Sequence, residues 1–329
     1  MNSVQTPYEN LTPDAIMSAL EGLGYRPTGA LLALNSYENR VYQVGIEDSD
    51  PVVVKFYRPH RWSREAITEE HSFAYELEAN EIPVVTPVRD DNGASLQEYA
   101  GYYLAVFPRR GGRWPDLDSR ENLAWLGRLL GRIHMVGKRC EFTSRLRLDP
   151  QQYGYQSYQY LLENGFLPPD LEQTYRSVAE ELLRLIDPVF TGEVAYQRIY
   201  GDCHPGNILW HEINGPFFVD LDDCLTGPIV QDLWMLLSGS REEMGLQMRD
   251  ILEGYEMFQE FDYFQLRLIE PLRSLRIMHY AAWLARRWQD PAFPLAFPWF
   301  NSQHFWQDHI LSLREQMANL QEPPLQIPY

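Results

Sequence analysis

The first 110 or so residues alternate between short apolar runs and polar turns. Apolar or alternating stretches predict four strands, at residues 31–34, 40–46, 52–57 and 102–107. The charged segment 63–80 places its apolar residues, among them Ile67 and Leu77, on one helical stripe, which predicts an amphipathic helix after the third strand. A shorter helix is predicted after Thr12, whose side chain can cap it. This part of the chain is therefore predicted to be rich in strands.

Helical periodicity dominates the rest of the chain. It predicts helices at residues 123–135, 171–186, 230–237, 268–287 and 304–320. Two short strands, 208–210 and 217–219, flank Asn214-Gly215, a dipeptide typical of tight hairpin turns. The predicted fold class is α+β and bilobal. A small β-rich lobe spans residues 1–108, a Pro/Gly connector lies near 108–113, and a larger helical lobe spans 109–329 and includes the hairpin.

Charge and cysteine usage narrow the classes of partner. The chain has 28 Lys and Arg against 46 Asp and Glu, a formal net charge of −18, which disfavours nucleic acid and anionic lipid. No signal peptide and no apolar run of about 18 residues is visible, so no membrane partner is expected. Cys140, Cys203 and Cys224 form neither a CxxC pair nor a disulfide framework, and a reduced, cytoplasmic compartment is the simplest interpretation.

Lys55 is the first candidate for chemistry. It and Lys138 are the only lysines among the 28 cationic residues, and Lys55 lies inside the apolar run 52–57. Burying an ammonium is costly unless it is paired, whereas gripping nucleotide phosphates would explain it. Glu69 or Glu70 of the following helix can supply a partner, and Glu70 is preferred because it leads into the apolar stripe. The alternative is a lysine on an edge strand that points to solvent.

The segment Gly-Asp-Cys-His-Pro-Gly-Asn-Ile-Leu at 201–209 is the strongest local signal. It places Asp202 five residues before Asn207. This spacing suits phosphoryl transfer, in which the aspartate must reach the acceptor hydroxyl and the asparagine must face a magnesium ion on the same side. The alternative is a turn with ordinary Asx hydrogen bonds. His204 is predicted to be structural. A redox-sensitive Cys203 is a further hypothesis, which depends on thiolate formation.

Three aspartates follow the apolar strand 217–219. Their mutual repulsion would be relieved by a divalent cation, and magnesium favours one or two carboxylates together with substrate phosphates. Asp220, the first polar residue after the strand, is the predicted metal ligand. Asp222 is predicted either to support the metal site without contacting the first metal ion or to bind a second metal ion. Asp223 is predicted to lie in a turn. Asp232 is predicted to brace the catalytic loop or cap its helix.

These motifs resemble a known superfamily. GDCHPGNIL followed by FVDLDD is similar to the aminoglycoside phosphotransferases and choline kinases, which share the protein-kinase-like fold. NSYENRVYQV, VVKFYRPHRW, QDLWMLL and AWLARRWQDPAFPLAFPW narrow the resemblance to the bacterial stress response kinase A family. That family implies transfer from ATP, with Mg2+, to serine and threonine hydroxyls of proteins. It also implies a cytoplasmic monomer active in envelope and oxidative stress.

The resemblance also assigns roles to residues. It makes Asp202 the proton acceptor, Asn207 a magnesium ligand, and Asp220 both a magnesium ligand and an active-site acid. ATP is expected near the connector at 108–113. The resemblance implies that Ser36 contacts ATP, and that Lys55 and Glu70 form the ion pair that anchors its phosphates.

The chain departs from the superfamily pattern in three places. Tyr200 replaces the histidine that commonly precedes Gly-Asp, the metal segment is Asp-Leu-Asp instead of Asp-Phe-Gly, and the interval from Asp220 to Asp232 is too short for a long activation loop.

An alternative function is a small-molecule kinase acting on an aminoglycoside, a choline-like amine or an amino alcohol, which the acidic charge and the tyrosine-rich stretch 153–160 would suit. A nucleotide-binding scaffold without turnover is a rival from another class.

Overall fold

The computed structural model describes residues 7–192 and 194–328. Its helices, numbered α1 to α10, are Pro13–Gly22, Arg64–Ala79, Arg120–Gly137, Gln156–Glu163, Pro169–Phe190, Val230–Trp234, Arg241–Tyr255, Ile269–Arg287, Ala292–Ala296 and Gln303–Asn319. Its strands, numbered β1 to β9, are Pro27–Ala33, Arg40–Ile46, Val52–Phe56, Gln97–Tyr99, Tyr102–Pro108, Gln197–Ile199, Ile208–His211, Gly215–Phe218 and Leu225–Gly227.

The chain forms two compact units. Among the described residues, the first contains those up to Pro115 together with Gly206–Asp222, and the second contains those of Asp116–Pro205 and those from Asp223 onward. The first is rich in strands and the second in helices, as the sequence pattern predicts. The hairpin β7–β8 belongs to the first unit, whereas the sequence pattern predicts it in the helical lobe.

A five-stranded antiparallel sheet forms the centre of the first unit, with strand order β1-β2-β3-β5-β4. Val54 and Phe56 of β3 pack on one face of the sheet, in a cluster with Ile16 and Leu20 of α1. Strand alternation turns Lys55 to the other face. Because β3 is paired on both sides, with Val41 and Ala105 opposite Lys55, the edge-strand alternative for this lysine is wrong.

Helix α2 begins where the sequence predicts it. The Ser63 side chain accepts a hydrogen bond from the backbone N–H of Ala66, which caps the first turn. The buried stripe of α2 includes Phe73 and Leu77, and Glu70 is buried with it. A carboxylate is therefore held on the inner face of the helix.

Backbone hydrogen bonds place the β7–β8 hairpin within the first unit. The N–H of Val85 donates to the carbonyl of Phe218 at 3.0 Å, and Arg113 and Trp210 exchange N–H···O bonds of 3.0 and 2.7 Å. The hairpin thus pairs with segments that are about 100 residues or more earlier in the chain. Sequence periodicity detects local elements and carries no information about such distant pairings, which explains the different placement.

Helices pack closely in the second unit. In one cluster, α5, α8 and α10 bury residues such as Tyr175, Met278 and Trp306. Elsewhere, α3 crosses α7 so closely that a Cβ added to Gly254 would lie 1.9 Å from the carbonyl oxygen of Ala124. Helix α7 was not predicted, nor were α4 and α9, and the predicted helix 230–237 is the shorter α6. Among the described residues, none of the helices combines the length and the apolar character that a membrane crossing needs.

Candidate active site

A cavity of about 330 Å3 lies within the first unit. Its apolar walls come from the sheet, α2 and the hairpin, and they include Val41, Val53, Ala74, Phe107, Leu209 and Val219. Its polar lining includes five of the six predicted site residues: Ser36, Lys55, Glu70, Asn207 and Asp220. An apolar slot with a few converging polar groups is the common form of a nucleotide or small-molecule site.

Three carboxylates surround the Lys55 ammonium. Its Nζ lies 2.8 Å from Oδ1 of Asp220, 3.1 Å from Oδ1 of Asp222 and 3.6 Å from Oε1 of Glu70. Glu70 is buried, whereas Glu69 is partly exposed, so the arrangement pairs Lys55 with the glutamate that the sequence analysis preferred. The Tyr57 ring, centred 4.9 Å from Nζ, completes the surroundings of the ammonium.

The carboxylates keep Lys55 charged despite its burial. Burial alone would lower the pKa of this lysine, but Asp220, Asp222 and Glu70 raise it well above its usual value. A permanently charged ammonium with several negative partners is suited to exchange one of them for an incoming phosphate oxygen.

Asp220 has a backbone conformation that is rare for a residue other than glycine. Its φ is 58°, in the left-handed region, and its side chain is about half exposed in the cavity. The N–H of the preceding Val219 donates to the carbonyl of Asn207 at 3.0 Å, which ties the two predicted metal ligands together through the backbone. Strained backbone of this kind is concentrated at functional sites.

The donor set fits a magnesium ion. Asp220, which has a carboxylate, and Asn207, which has an amide, line the same cavity, and magnesium takes its other ligands from water and substrate phosphates. No cluster of three or more His, Cys, Asp or Glu side chains that could hold a metal by itself occurs in the described part of the chain. Sites at which magnesium is bound together with a nucleotide need only one or two carboxylates from the protein.

Asp222 is held by side chains that no motif in the sequence indicates. Its carboxylate contacts Lys55 and the guanidinium of Arg61, and its Oδ2 accepts a hydrogen bond of 3.1 Å from Nδ2 of Asn39. The Oδ1 of Asn39 in turn accepts from the backbone N–H of Arg58 at 3.0 Å. Asp222 is therefore engaged by protein groups, which favours the supporting role among the two that the sequence left open.

Ser36 lies in the polar loop between β1 and β2. Its hydroxyl donates to the carbonyl of Asn39 at 3.3 Å, and its side chain lines the cavity. Through Asn39 this loop is connected to Asp222. The loop that would cover a nucleotide and the segment that would hold its metal are thus joined by hydrogen bonds.

Asp202 belongs to the second unit. Its Oδ1 accepts a hydrogen bond of 2.8 Å from Nη1 of Arg276 in α8, and its Oδ2 lies 3.4 Å from Nε2 of His204. Burial would raise the pKa of Asp202, but the hydrogen bond from His204 and the charge of Arg276 lower it to about 2. Asp202 is therefore ionised at neutral pH. Arg276 is a neighbour that no sequence motif pointed to.

A buried network braces the loop that contains Asp202. The Asp232 carboxylate accepts from the N–H groups of Tyr200 and Gly201, at 2.8 and 2.7 Å, which confirms the bracing role predicted for it. Its Oδ2 also lies 3.0 Å from Nε2 of His134, whose Nδ1 is 2.9 Å from the Tyr255 hydroxyl. The brace acts on backbone N–H groups, so the side chain at position 200 is not required for it.

Gly201 is required at its position in this loop. Its φ is +87°, and a Cβ there would lie 2.4 Å from the carbonyl oxygen of Asp223. The neighbouring Cys203 is fully buried, and burial raises the pKa of its thiol well above the usual value. The thiolate needed for redox sensitivity is thus disfavoured.

Comparison with known proteins establishes the family. The chain matches the model of the phosphotransferase enzyme family over residues 31–269, and it belongs to that family. It is 44% identical to the protein named stress response kinase A from Escherichia coli (strain K12), with 99% of each chain covered. It is 43% identical to the serine/threonine protein kinase RdoA of Salmonella typhimurium (strain LT2), again with 99% of each covered.

A solved structure shows the same fold. The amicoumacin kinase hAmiN, determined with AMP-PNP, Ca2+ and Ami, matches with a TM-score of 0.72 at 20% identity, covering 95% of each chain. The predicted α+β, kinase-like fold class and the family resemblance are confirmed. The chain is a phosphotransferase. Its acceptor, its metal and the roles of its individual residues stay predictions.

Proposed function

We propose that this protein is an ATP- and Mg2+-dependent kinase that phosphorylates serine and threonine hydroxyls of proteins. The placement of Lys55 among Asp220, Asp222 and Glu70 in an apolar-walled cavity supports the nucleotide chemistry. The protein acceptor is supported by the name of a relative that is 43% identical over nearly the whole chain. The names of the relatives likewise support a role in stress response. The cytoplasmic location and the monomeric state stay predictions from the sequence.

In this proposal the cavity binds ATP. The apolar walls accept the base, the loop around Ser36 covers the phosphates, and Lys55 holds them while Glu70 keeps the ammonium in place. Phosphoryl transfer needs mainly positioning and charge neutralisation, and a charged, preorganised lysine supplies both.

Asn207 and Asp220 hold the magnesium ion in this proposal. The ion supplies charge neutralisation on the phosphate oxygens when it is bound. The left-handed backbone at Asp220 keeps the carboxylate half exposed in the cavity, where it is available to such an ion. Asp222, already engaged by Arg61 and Asn39, keeps the segment in place.

Asp202 orients the acceptor hydroxyl and receives its proton. A carboxyl whose pKa is about 2 is a weak base, so most of its contribution is orientation, and the proton moves late. The network from Tyr255 through His134 and Asp232 fixes the loop in which Asp202 lies.

The small-molecule alternative is supported by the amicoumacin kinase, which shares the fold. The tyrosine-rich stretch 153–160 offers less for a cationic ligand than the sequence suggested. The hydroxyls of Tyr155 and Tyr158 donate to Asp187 and Glu180, at 2.6 and 2.5 Å, and the Tyr160 ring stacks on Phe166. These side chains serve internal packing.

Transfer from γ-labelled ATP tests the proposal. The purified protein is incubated with Mg2+ and a generic protein acceptor, and in parallel with amino alcohols and aminoglycosides. We expect label on protein serine or threonine. In Asp202→Asn, turnover should fall by about a hundredfold or more, while the Kd of ATP stays within about threefold, because the loss falls on the transfer step.

Three outcomes would decide against parts of the proposal. Label on a small molecule alone would establish the alternative acceptor. Near-normal turnover of Asp202→Asn would remove Asp202 from the mechanism. ATP binding without transfer to any acceptor would identify a scaffold.

A further inference from the structure

The guanidinium of Arg276 is unusually placed. Its Nη1 donates to Oδ1 of Asp202 at 2.8 Å, yet its side chain is 45% exposed. Asp202 is its one bonded partner among the described residues. A guanidinium has five N–H donors, so most of those on Arg276 remain available to a ligand.

A need to hold the catalytic loop in place does not explain why Arg276 lies next to Asp202. The backbone of the loop is already held by Asp232 through Tyr200 and Gly201. Other arginines of α8 are engaged within the protein: Arg273 pairs with Glu270 at 3.3 Å, and Arg286 donates to the carbonyl of Gln156 at 3.3 Å.

The charge of Arg276 bears directly on the acceptor. A hydroxyl that approaches Asp202 closely enough to donate its proton also approaches the guanidinium on the same carboxylate. A cationic group next to that hydroxyl would be repelled, whereas a carboxylate or phosphate there can form charge-assisted, two-pronged hydrogen bonds with arginine.

We propose that Arg276 determines specificity by binding an anionic group next to the acceptor hydroxyl. This inference rests on the proposed protein kinase function and names its substrate class: serine or threonine with an acidic or phosphorylated side chain within two positions. In an extended peptide, such spacing places the Cα of the acidic or phosphorylated residue within about 7 Å of the Cα of the acceptor residue.

A set of peptides tests the inference. Each contains one serine, with Glu, Gln or Lys at one of the positions −2, −1, +1 and +2. At one or more of these positions we expect kcat/KM for the Glu peptide to exceed that for the Gln peptide by about tenfold, and the Lys peptide to be the poorest, since a charge-assisted contact contributes on this scale.

Variants of Arg276 distinguish recognition of the anionic group of the substrate from support of Asp202. Arg276→Gln should remove the preference of Glu over Gln, mainly through a higher KM for the Glu peptide. Arg276→Lys should keep part of it, because the charge is retained. Arg314→Glu, at an exposed arginine of α10, is the charge control and should leave the preference unchanged. Thermal melts confirm that each variant is folded.

Two failures can be distinguished. Transfer to the Gln peptide measures kinase activity on peptides. The ratio of kcat/KM for the Glu peptide to kcat/KM for the Gln peptide measures recognition by Arg276. Equal rates on Glu and Gln peptides would overturn the inference while leaving the proposed function intact. So would a uniform loss of kcat in Arg276→Gln with the preference retained, because that pattern indicates support of Asp202 only. Transfer to no protein or peptide would overturn both.

Discussion

At the scale of the residue, Lys55 lies at the centre of a cluster of charged side chains in the first unit. Three carboxylates converge on its ammonium, and two of them, Asp222 and Glu70, are buried. Removing one partner from a buried ionic group leaves the others without compensation, which is far more damaging than losing an exposed pair. Lys55 therefore has a structural role as well as the proposed catalytic one.

Lys55→Met should lose stability and activity together. We expect the free energy of unfolding to fall by about 3 kcal/mol, since the buried carboxylates of Glu70 and Asp222 each lose the ammonium as a partner, and phosphoryl transfer to fall at least a hundredfold. Urea denaturation followed by fluorescence measures the first effect. The other lysine provides the control: Lys138→Met, at the exposed C-terminal end of α3, should leave both unchanged. Equal effects at the two positions would contradict this account of Lys55.

Residue-scale prediction from the sequence was possible where the signal was local. Asp202, Asn207 and Asp220 lie in short segments whose residue types and spacing are typical of phosphoryl transfer, and their roles stay predictions. Asn39 and Arg276 gave no such signal because their partners are distant: Asn39 and Asp222 are separated by 183 positions, and Arg276 and Asp202 by 74. A single sequence does not record which distant residues meet.

At the scale of the element, the α3–α7 crossing depends on the absence of side chains. Gly127 of α3 and Gly254 of α7 each face a carbonyl of the opposite helix, Ile251 and Ala124, and an added Cβ would lie 1.9 Å from either oxygen. Two helices can pack this closely only where both have small residues.

Gly254→Ala should therefore destabilise the protein although alanine is the better helix former. The added methyl forces the helices apart, and overpacking of this kind lowers the free energy of unfolding by about 1–3 kcal/mol. Gly22→Ala in α1 is the matched control, because a Cβ there has no atom within 4 Å, and it should be neutral or slightly stabilising. Chemical denaturation measures both. Tolerance of Gly254→Ala would mean that the helices separate easily.

The same helix shows why some elements escaped prediction. Helix α7 begins with a complete capping box, Ser240 with Glu243, which was present in the sequence as Ser-x-x-Glu. Its buried face, however, includes Gly245 and Gly254 as well as Met248, and glycines produce no apolar stripe. By contrast, the strand β2 was predicted to its last residue, because its alternation is local and clear.

At the scale of the whole molecule, stability should respond to a buried histidine. His309 of α10 is packed against Tyr175 and Trp306, and burial lowers its pKa from 6.5 to about 4. The folded state therefore keeps this histidine neutral where the unfolded chain binds a proton. Its contribution to stability is fully present above pH 6.5 and is lost as the pH falls toward 4.

His309→Gln should flatten the loss of stability between pH 6.5 and 4. A pKa shift of this size corresponds to about 3 kcal/mol across the interval, which urea titrations at several pH values can resolve. His304→Gln, at an exposed histidine of the same helix, is the control and should retain the slope of the original protein. If His309→Gln retained that slope as well, the acid sensitivity would have to come from other groups.

The division of the chain has a consequence for synthesis. The first unit needs Gly206–Asp222, which the ribosome makes about 90 residues after Pro115. Until residue 222 has left the exit tunnel, the sheet lacks its hairpin, the Lys55 ammonium lacks Asp220 and Asp222, and the nascent lobe is incomplete. Folding of this unit is therefore delayed by contacts of long sequence separation, and a fragment ending near residue 115 should be a client of chaperones and not an independent domain.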